Sequence, residues 1–362
     1  MKVLHCIHSL RAGGAEKQLN ILLNSAKNND EIDFAVFCVD SSNDILLPNI
    51  CKVYEILDNS QYPLYLIQEI NRAIKEFEPD IVHCWLPHTI VVSGLISARF
   101  KGIPVVSSYR NSRFFNSLKD VVEFFFCMIF ADAIVSNCNP QMSNIFFQYL
   151  FKFKNNRIIP NAVDVPEIFK KKYQSKKIND FFIILYVGRL VPQKNLQVLL
   201  KALYKMKSKK PFKLLICGTG EEEDEVKTNI KKYGLTNNVE MLGFKKDIYS
   251  LMASSDLLVL PSIYEGMPNV VLEALSIGLP CVVSSIPAHT NLLNDDIVRF
   301  FNPSSSQCLA EILDEYIEGN IDLLGLTMKG MQFSEKFSTA IQAENYLNFY
   351  QELLEKNKTN TA

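Results

Sequence analysis

Two kinds of apolar pattern alternate along this chain. Short runs rich in β-branched and aromatic residues read as strands: "KVLHCIH", "DFAVFCV", "KVYEIL", "DIVHCW", "PVVSSY", "DAIVS" and "NRIIP". Between most of them lie longer segments with helical spacing, such as "GGAEKQLNILLNSAK" and "PLYLIQEINRAIKEFE". That alternation predicts βαβ units and a parallel sheet covered on both faces. At 161–180 the pattern lapses into "NAVDVPEIFKKKYQSKKIND", polar and basic, which reads as a solvated linker. It restarts with "FFIILYVGRL", "FKLLICG", "NVEML", "DLLVLPS", "PCVVSS" and "IVRFF". The fold class is therefore α/β, two doubly wound domains in tandem, expected at 1–162 and 163–336. A last amphipathic helix is expected across 337–362, with Ile341, Tyr346, Leu347 and Tyr350 on one face. It should pack on a domain surface, the first domain being the candidate.

Composition narrows this picture. A chain of 362 residues is long for one core, which agrees with two domains. A formal net charge of −1 gives no electrostatic footprint for nucleic acid. Nine cysteines are scattered without a CxxC pair, mostly in strand-like contexts. They read as reduced, buried thiols of a cytosolic protein, with no metal-binding spacing. The opening "MKVLHCIHSL" is a strand, not a signal peptide. No stretch reaches the roughly 18 uncharged apolar residues of a membrane span. The nearest, "VVEFFFCMIFADAIV", is broken by Glu123 and Asp132.

In open α/β sheets ligands bind outside the carboxyl ends of the strands, so residues just after strands carry the chemistry. Two such domains facing one another would share a cleft. After "FFIILYV", Gly188 permits a close turn, and Arg189 and Lys194 set two cations beside a helix start. That arrangement is either an anion site, most naturally for phosphate, or a solvated surface loop. After "DLLVLPS", Glu265 and Gly266 open a helix whose N–H groups at Gly266, Met267 and Asn269 can point outward, with Pro268 fixing φ. Glu273 falls one turn beyond Asn269, among Val270, Val271, Leu272, Ala274 and Leu275. A carboxylate in so apolar a helix argues against a plain surface charge and suits two vicinal hydroxyls, as on a ribose. Gly13 and Gly14 open the first helix, a further place for an anion or sugar hydroxyls. Neither this stretch nor "CGTGEEED" matches GxGxxG, so a nicotinamide dinucleotide site is not indicated.

Taken in order, "RAGGAEKQL", "RIIPNAVD", "VGRLVPQKN" and "YEGMPNVVLEALSIGLP" with its Glu-x7-Glu spacing resemble the family-4 retaining glycosyltransferases. The resemblance covers nearly the whole chain. It implies a GT-B fold, two Rossmann-like domains facing a central cleft, and sugar transfer from a nucleotide sugar with retention and no bound metal. It implies that Arg189 and Lys194 neutralise the departing diphosphate and that Glu273 holds the ribose. Glu265 would steady positive charge at the anomeric carbon. The stretch Gly266, Met267, Pro268, Asn269 and Val270 would bind sugar and phosphate through its backbone, and Gly14 would approach the diphosphate from the first domain. No cofactor is expected. The expected partners are a nucleotide sugar, with UDP favoured, and a lipid-linked or surface-polysaccharide acceptor such as O-antigen or capsule. The enzyme is expected in the cytosol, with the inner membrane face as a candidate docking surface. Many members carry a histidine where this chain has Arg110, and an arginine cannot serve as a base near neutral pH. Its role would be electrostatic or positional. Ala162 replaces a common glycine in "PNAVD". An inactive nucleotide-sugar-binding scaffold and an epimerase of the same fold are the rival readings.

Other residues carry weaker signals. His83, inside a strand, reads as a satisfied core histidine, while Trp85 and His88, at or after that strand's end, could either pack or line an acceptor site. Phe146, Phe147, Tyr149, Phe151, Lys152, Phe153 and Lys154 fit a core helix with a solvated end first, and membrane docking second. Glu221–Glu225 is the acidic first turn of a helix. A hydrolase acid pair of Glu265 and Glu273 would leave Arg189 and Lys194 unexplained.

Overall fold

The structure, a computed structural model, describes residues 1–10, 13–27, 29–39, 51–56, 63–85, 89–109, 122, 125, 129–137, 155–170 and 181–361. These form two compact units, Met1–Ala162 with Thr339–Ala362, and Val163–Ser338. The first unit holds strands β1 (Lys2–Cys6), β2 (Asp33–Cys38), β3 (Lys52–Glu55), β4 (Ile81–Trp85), β5 (Val105–Tyr109), β6 (Ala133–Ser136) and β7 (Asn155–Ile158). They make one sheet in the order β3-β2-β1-β4-β5-β6-β7, every pair parallel. The second unit holds β8 (Phe182–Val187), β9 (Phe212–Cys217), β10 (Val239–Gly243), β11 (Leu257–Leu260), β12 (Cys281–Ser284) and β13 (Arg299–Phe301). Their order is β10-β9-β8-β11-β12-β13, again all parallel.

Each strand overlaps one of the apolar runs read from the sequence. The runs are nearly continuous because both faces of each sheet are covered. In the second unit, Ile184 and Tyr186 of β8 and Leu257 and Val259 of β11 face one core with Leu199 and Leu313 of flanking helices. Leu185, Leu258 and Leu260 face the opposite core with Val271 and Leu275. That is the period of two expected of a pleated strand. Burying each such side chain contributes about 1.5–3 kcal/mol before entropy is charged.

The last helix, Thr339–Thr361, packs in the first unit through Ala343, Tyr346, Phe349, Tyr350 and Leu353. Its buried face differs from the expected one: Ile341 is 42% exposed and Leu347 half-buried. The buried stripe steps 343, 346, 350, 353, and at about 100° per residue position 347 falls to its edge and position 341 nearly opposite it. Tyr350 Oη lies 2.6 Å from His83 Nδ1, and His83 Nε2 lies 2.7 Å from Ser108 Oγ. His83 is thus a satisfied core histidine.

Trp85 needs correction as a candidate acceptor contact. It is fully buried and donates through Nε1 to His5 Nδ1 at 2.9 Å, because as the last residue of β4 it packs into the core of the first unit. The solvated-linker reading also fails for 161–163, although residues 164 and 166–168 are exposed. Ala162 is buried, its N–H donates to Gln18 Oε1 (2.7 Å) and its carbonyl accepts from Gln18 Nε2 (2.9 Å). Val163 then pairs its N–H with the Phe337 carbonyl at 2.7 Å, and Glu167–Lys170 is a single helical turn. Residues 171–180, with most of the basic run, lie outside the described residues, as do the aromatics at 146–153.

Candidate active site

Strands β8 and β11 are neighbours where the connectivity of the second sheet reverses, β9 continuing on one side and β12 on the other. Loops leaving their carboxyl ends open at a topological switch point, where doubly wound sheets take ligands. After β8 the chain passes Gly188 and Arg189 into a 3₁₀ turn, Pro192–Lys194. After β11 it passes Ser262 and Glu265 into the helix Asn269–Ile277.

The two loops are stitched together. The Ile263 N–H donates to the Gln193 carbonyl at 2.9 Å, and Gln193 Nε2 donates to the Tyr264 carbonyl at 2.9 Å. Asn195 takes a left-handed conformation, φ 52° and ψ 40°. Its Nδ2 donates to the carbonyls of Pro261 (3.1 Å) and Pro303 (3.0 Å). Asparagine tolerates this region better than most side chains. The amide bonds then hold the turn so that Lys194 reaches inward. Lys194 Nζ lies 2.5 Å from Glu265 Oε1, with the two side chains 15% and 9% exposed. The Ser262 hydroxyl donates to the same oxygen at 2.6 Å.

Arg189 is exposed, and its carbonyl accepts from the Tyr186 hydroxyl at 3.0 Å. Burial, together with Glu265 and Glu222, pushes the Tyr186 pKa up, against a smaller pull from Arg189. Tyr186 is therefore a neutral hydrogen-bond donor. The loop after β9 lies against the loop after β8: the Gly188 N–H donates to the Cys217 carbonyl (3.0 Å) and the Leu190 N–H to the Thr219 carbonyl (2.9 Å). Gly218 has φ +147°, and a Cβ there would sit 1.9 Å from the Gly188 carbonyl oxygen. So the glycine of "CGTG" is required by backbone approach, not by a dinucleotide.

Around the second loop, Gly266 is half-buried and Met267 and Pro268 are buried. The expected outward N–H at Asn269 is corrected: it donates to the Met267 carbonyl at 2.9 Å, because Pro268 turns the chain just before the helix. Val270 is half-buried. Glu273 is 5% exposed, within a helix in which Val271 to Ile277 are all buried. Gly278, at φ +88°, ends that helix.

A buried chain backs the Glu265 loop. The Ser284 hydroxyl donates to the Ser262 carbonyl (2.5 Å), and His289 Nδ1 lies 2.7 Å from the Ser284 carbonyl. Burial holds the His289 pKa below its ordinary value, outweighing the bond to Ser284. In the first unit, Gly13 caps the helix Gly14–Ser25 in extended conformation. The Glu16 carboxylate folds over it, so close that a Cβ on Gly13 would meet Glu16 Oε2 at 2.2 Å. An anion at Gly13 and Gly14 would have to displace that carboxylate. His88 and Arg110 lie outside the described residues.

Sequence reasoning missed Tyr186, Gln193, Asn195, Ser262, Ser284 and His289. Only Asn195 carried a usable signal, an asparagine between a turn and a helix. Among the described residues no three His, Cys, Asp or Glu side chains form a metal-binding group. None of the described helices is long and apolar enough to cross a membrane.

Comparison with known proteins bears on this geometry. The family described as Glycosyltransferase Family 4 matches residues 12–167, and that described as Glycosyl transferases group 1 matches residues 167–329. The chain is 28% identical over 306 residues to the putative glycosyltransferase EpsF of Bacillus subtilis, covering 78% of this chain and 79% of that one. It is also 28% identical over 283 residues to an Escherichia coli UDP-Gal:alpha-D-GlcNAc-diphosphoundecaprenol alpha-1,3-galactosyltransferase, covering 72% and 71%. Anabaena HepE, crystallised with UDP and glucose, superposes with a TM-score of 0.77 at 21% identity, covering 97% of this chain and 100% of that one. With family matches running in succession from residue 12 to residue 329 on two parallel-sheet units, the chain belongs to the family-4 glycosyltransferases of GT-B fold.

Proposed function

We propose that this enzyme moves a hexose or N-acetylhexosamine from a UDP-sugar to a lipid-linked or surface-polysaccharide glycan, with retention and without a bound metal. The observation that carries the reading is the Lys194–Glu265 pair, set at the switch point between β8 and β11. An ammonium has three N–H donors, and Glu265 engages one. The others, with the exposed Arg189 guanidinium, are available to a diphosphate. Departure of a nucleoside diphosphate needs fixed positive charge where negative charge appears. As the bond from the anomeric carbon to the diphosphate breaks, that carbon gains oxocarbenium character, which the Glu265 carboxylate favours. The acceptor hydroxyl forms the new bond on the same face, and its proton leaves with the phosphate oxygen. The backbone from Gly266 to Val270 would line the sugar and phosphate, with Glu273 on the ribose. Arg110 would add positive charge, and His88 would lie on the acceptor side.

UDP is favoured because HepE holds it and the E. coli relative is named for a UDP-sugar and a diphosphoundecaprenol acceptor. The cytosolic face of a membrane is where such an acceptor would be met. A thermal-shift panel of UDP, GDP and ADP in EDTA tests the nucleotide, since only a bound ligand raises Tm. UDP-glucose, UDP-galactose and their N-acetylated forms are then assayed with lipid-diphosphate glycans. Stabilisation by UDP and transfer in EDTA are expected. Activity abolished by EDTA and restored by Mn²⁺ refutes the metal-free mechanism. Tight UDP binding without turnover points to a scaffold, and an altered sugar without acceptor to an epimerase.

A further inference from the structure

Behind Glu265 three hydrogen bonds run in series away from the reacting side. Glu265 Oε1 accepts from the Ser262 hydroxyl (2.6 Å), the Ser262 carbonyl from the Ser284 hydroxyl (2.5 Å), and the Ser284 carbonyl from His289 Nδ1 (2.7 Å). Ser262 stands just beyond β11, Ser284 ends the neighbouring β12, and His289 lies on the helical turn Pro287–Thr290 that follows. All three residues are fully buried. A carbonyl can only accept, so the imidazole proton is on Nδ1. Nε2 is left as a buried lone-pair acceptor with no partner among the described residues.

A buried acceptor without a donor costs about 1–3 kcal/mol. A residue chosen for packing alone would not carry that cost, so the histidine is held here by what its Nδ1 side does. We infer that His289 is a positioning residue: acting through Ser284 and Ser262, it fixes the Glu265 carboxylate against Lys194 and the donor sugar. The inference rests on the proposed role of Glu265. The chain crosses from β12 to β11, so it ties the Glu265 loop to the neighbouring strand rather than to its own. Losing the Nδ1 anchor would leave the Ser284 carbonyl held by the Ile286 N–H alone, at 2.9 Å, and loosen the Ser262 hydroxyl that orients the carboxylate. Displacement of a reacting group by about 1 Å is enough to cost on the order of 100-fold in rate.

The test measures UDP affinity by calorimetry and kcat by UDP release from the UDP-sugar selected by the panel. His289→Leu is expected to lower kcat about 10–100-fold while the UDP Kd stays near the wild-type value. His289→Asn places an amide N–H where Nδ1–H stood and keeps a buried acceptor, its Oδ1, in place of Nε2. It should recover most of the rate. Ser284→Ala should lower kcat with UDP affinity retained. A wild-type kcat in His289→Leu, a UDP Kd that rises in step with the lost rate, or an Asn variant as slow as Leu would each overturn the inference. If the Leu variant does not fold, Ser284→Ala at full wild-type kcat overturns it instead. Glu265→Gln is assayed alongside. Full activity there would refute the role of Glu265 itself, a failure distinct from that of the histidine.

Discussion

Removing the Lys194 ammonium is the perturbation whose size the structure bounds best. Glu265 is 9% exposed at its side chain and has Lys194 Nζ at 2.5 Å and the Ser262 hydroxyl at 2.6 Å on the same oxygen. In Lys194→Ala the buried carboxylate keeps only the hydroxyl. Breaking a buried pair from one side typically costs about 3–5 kcal/mol, because the remaining charge is left uncompensated. For a unit of this size that corresponds to a Tm lowered by about 6–20 °C. The catalytic loss should be separate and comparable, about 10²–10³-fold in kcat, the scale of a lost preorganised charge donor. Lys194→Met combined with Glu265→Gln removes both charges and should be more stable than the sum of the single changes implies. Differential scanning calorimetry on the two single variants and the double variant reads the coupling. A Lys194→Ala protein melting within about 1 °C of wild type, or strictly additive single changes, would refute the picture of a buried pair.

Glu273→Ala should weaken UDP binding about 10–100-fold, the worth of charge-assisted hydrogen bonds to a diol, with a smaller effect on kcat; an unchanged calorimetric Kd would remove Glu273 from the ribose. Gly218→Ala must fit a side chain at φ +147° with its Cβ 1.9 Å from the Gly188 carbonyl oxygen, so it should cost at least about 1–3 kcal/mol in urea unfolding; wild-type stability would mean the loops can part freely. His5 is buried and its pKa falls from 6.5 to about 3 by desolvation, so the unfolded chain binds a proton below pH 6.5 that the folded chain refuses. Stability from this group is complete above 6.5 and falls by up to about 1.4 kcal/mol per pH unit as pH drops toward 3, and His289 acts in the same direction. Unfolding free energies equal at about pH 7.5 and 5.5 would contradict the neutral, buried state of both rings.

The strands are legible in the sequence because both-face burial leaves little room for polar residues within them. Glu273 stands out for the same reason, as a carboxylate among Val271, Leu272, Ala274 and Leu275 in a helix that is buried throughout. The stitching of the loops is not legible. Asn195 acts through carbonyls at positions 261 and 303, and no local pattern links residues so far apart. Ser284 and His289 donate into main-chain oxygens, which any residue supplies, so nothing at the accepting positions marks the contact. The final helix shows a further limit: periodicity finds its apolar side, but the edge of the buried stripe is set by the surface it meets, and Ile341 falls outside it. Trp85 looks like a cleft residue only until His5 is known to accept its N–H.

The claim at the centre of this account is that the loop carrying Arg189 and Lys194 receives the diphosphate. Calorimetric titration of uridine and of UDP into wild type and Arg189→Ala isolates that contribution, because the two ligands differ only in the diphosphate. The account predicts that wild type binds UDP far more tightly than uridine. Arg189→Ala should lose about 10–100-fold of the UDP affinity while uridine binding is unchanged. A variant that binds both ligands as wild type does would contradict it.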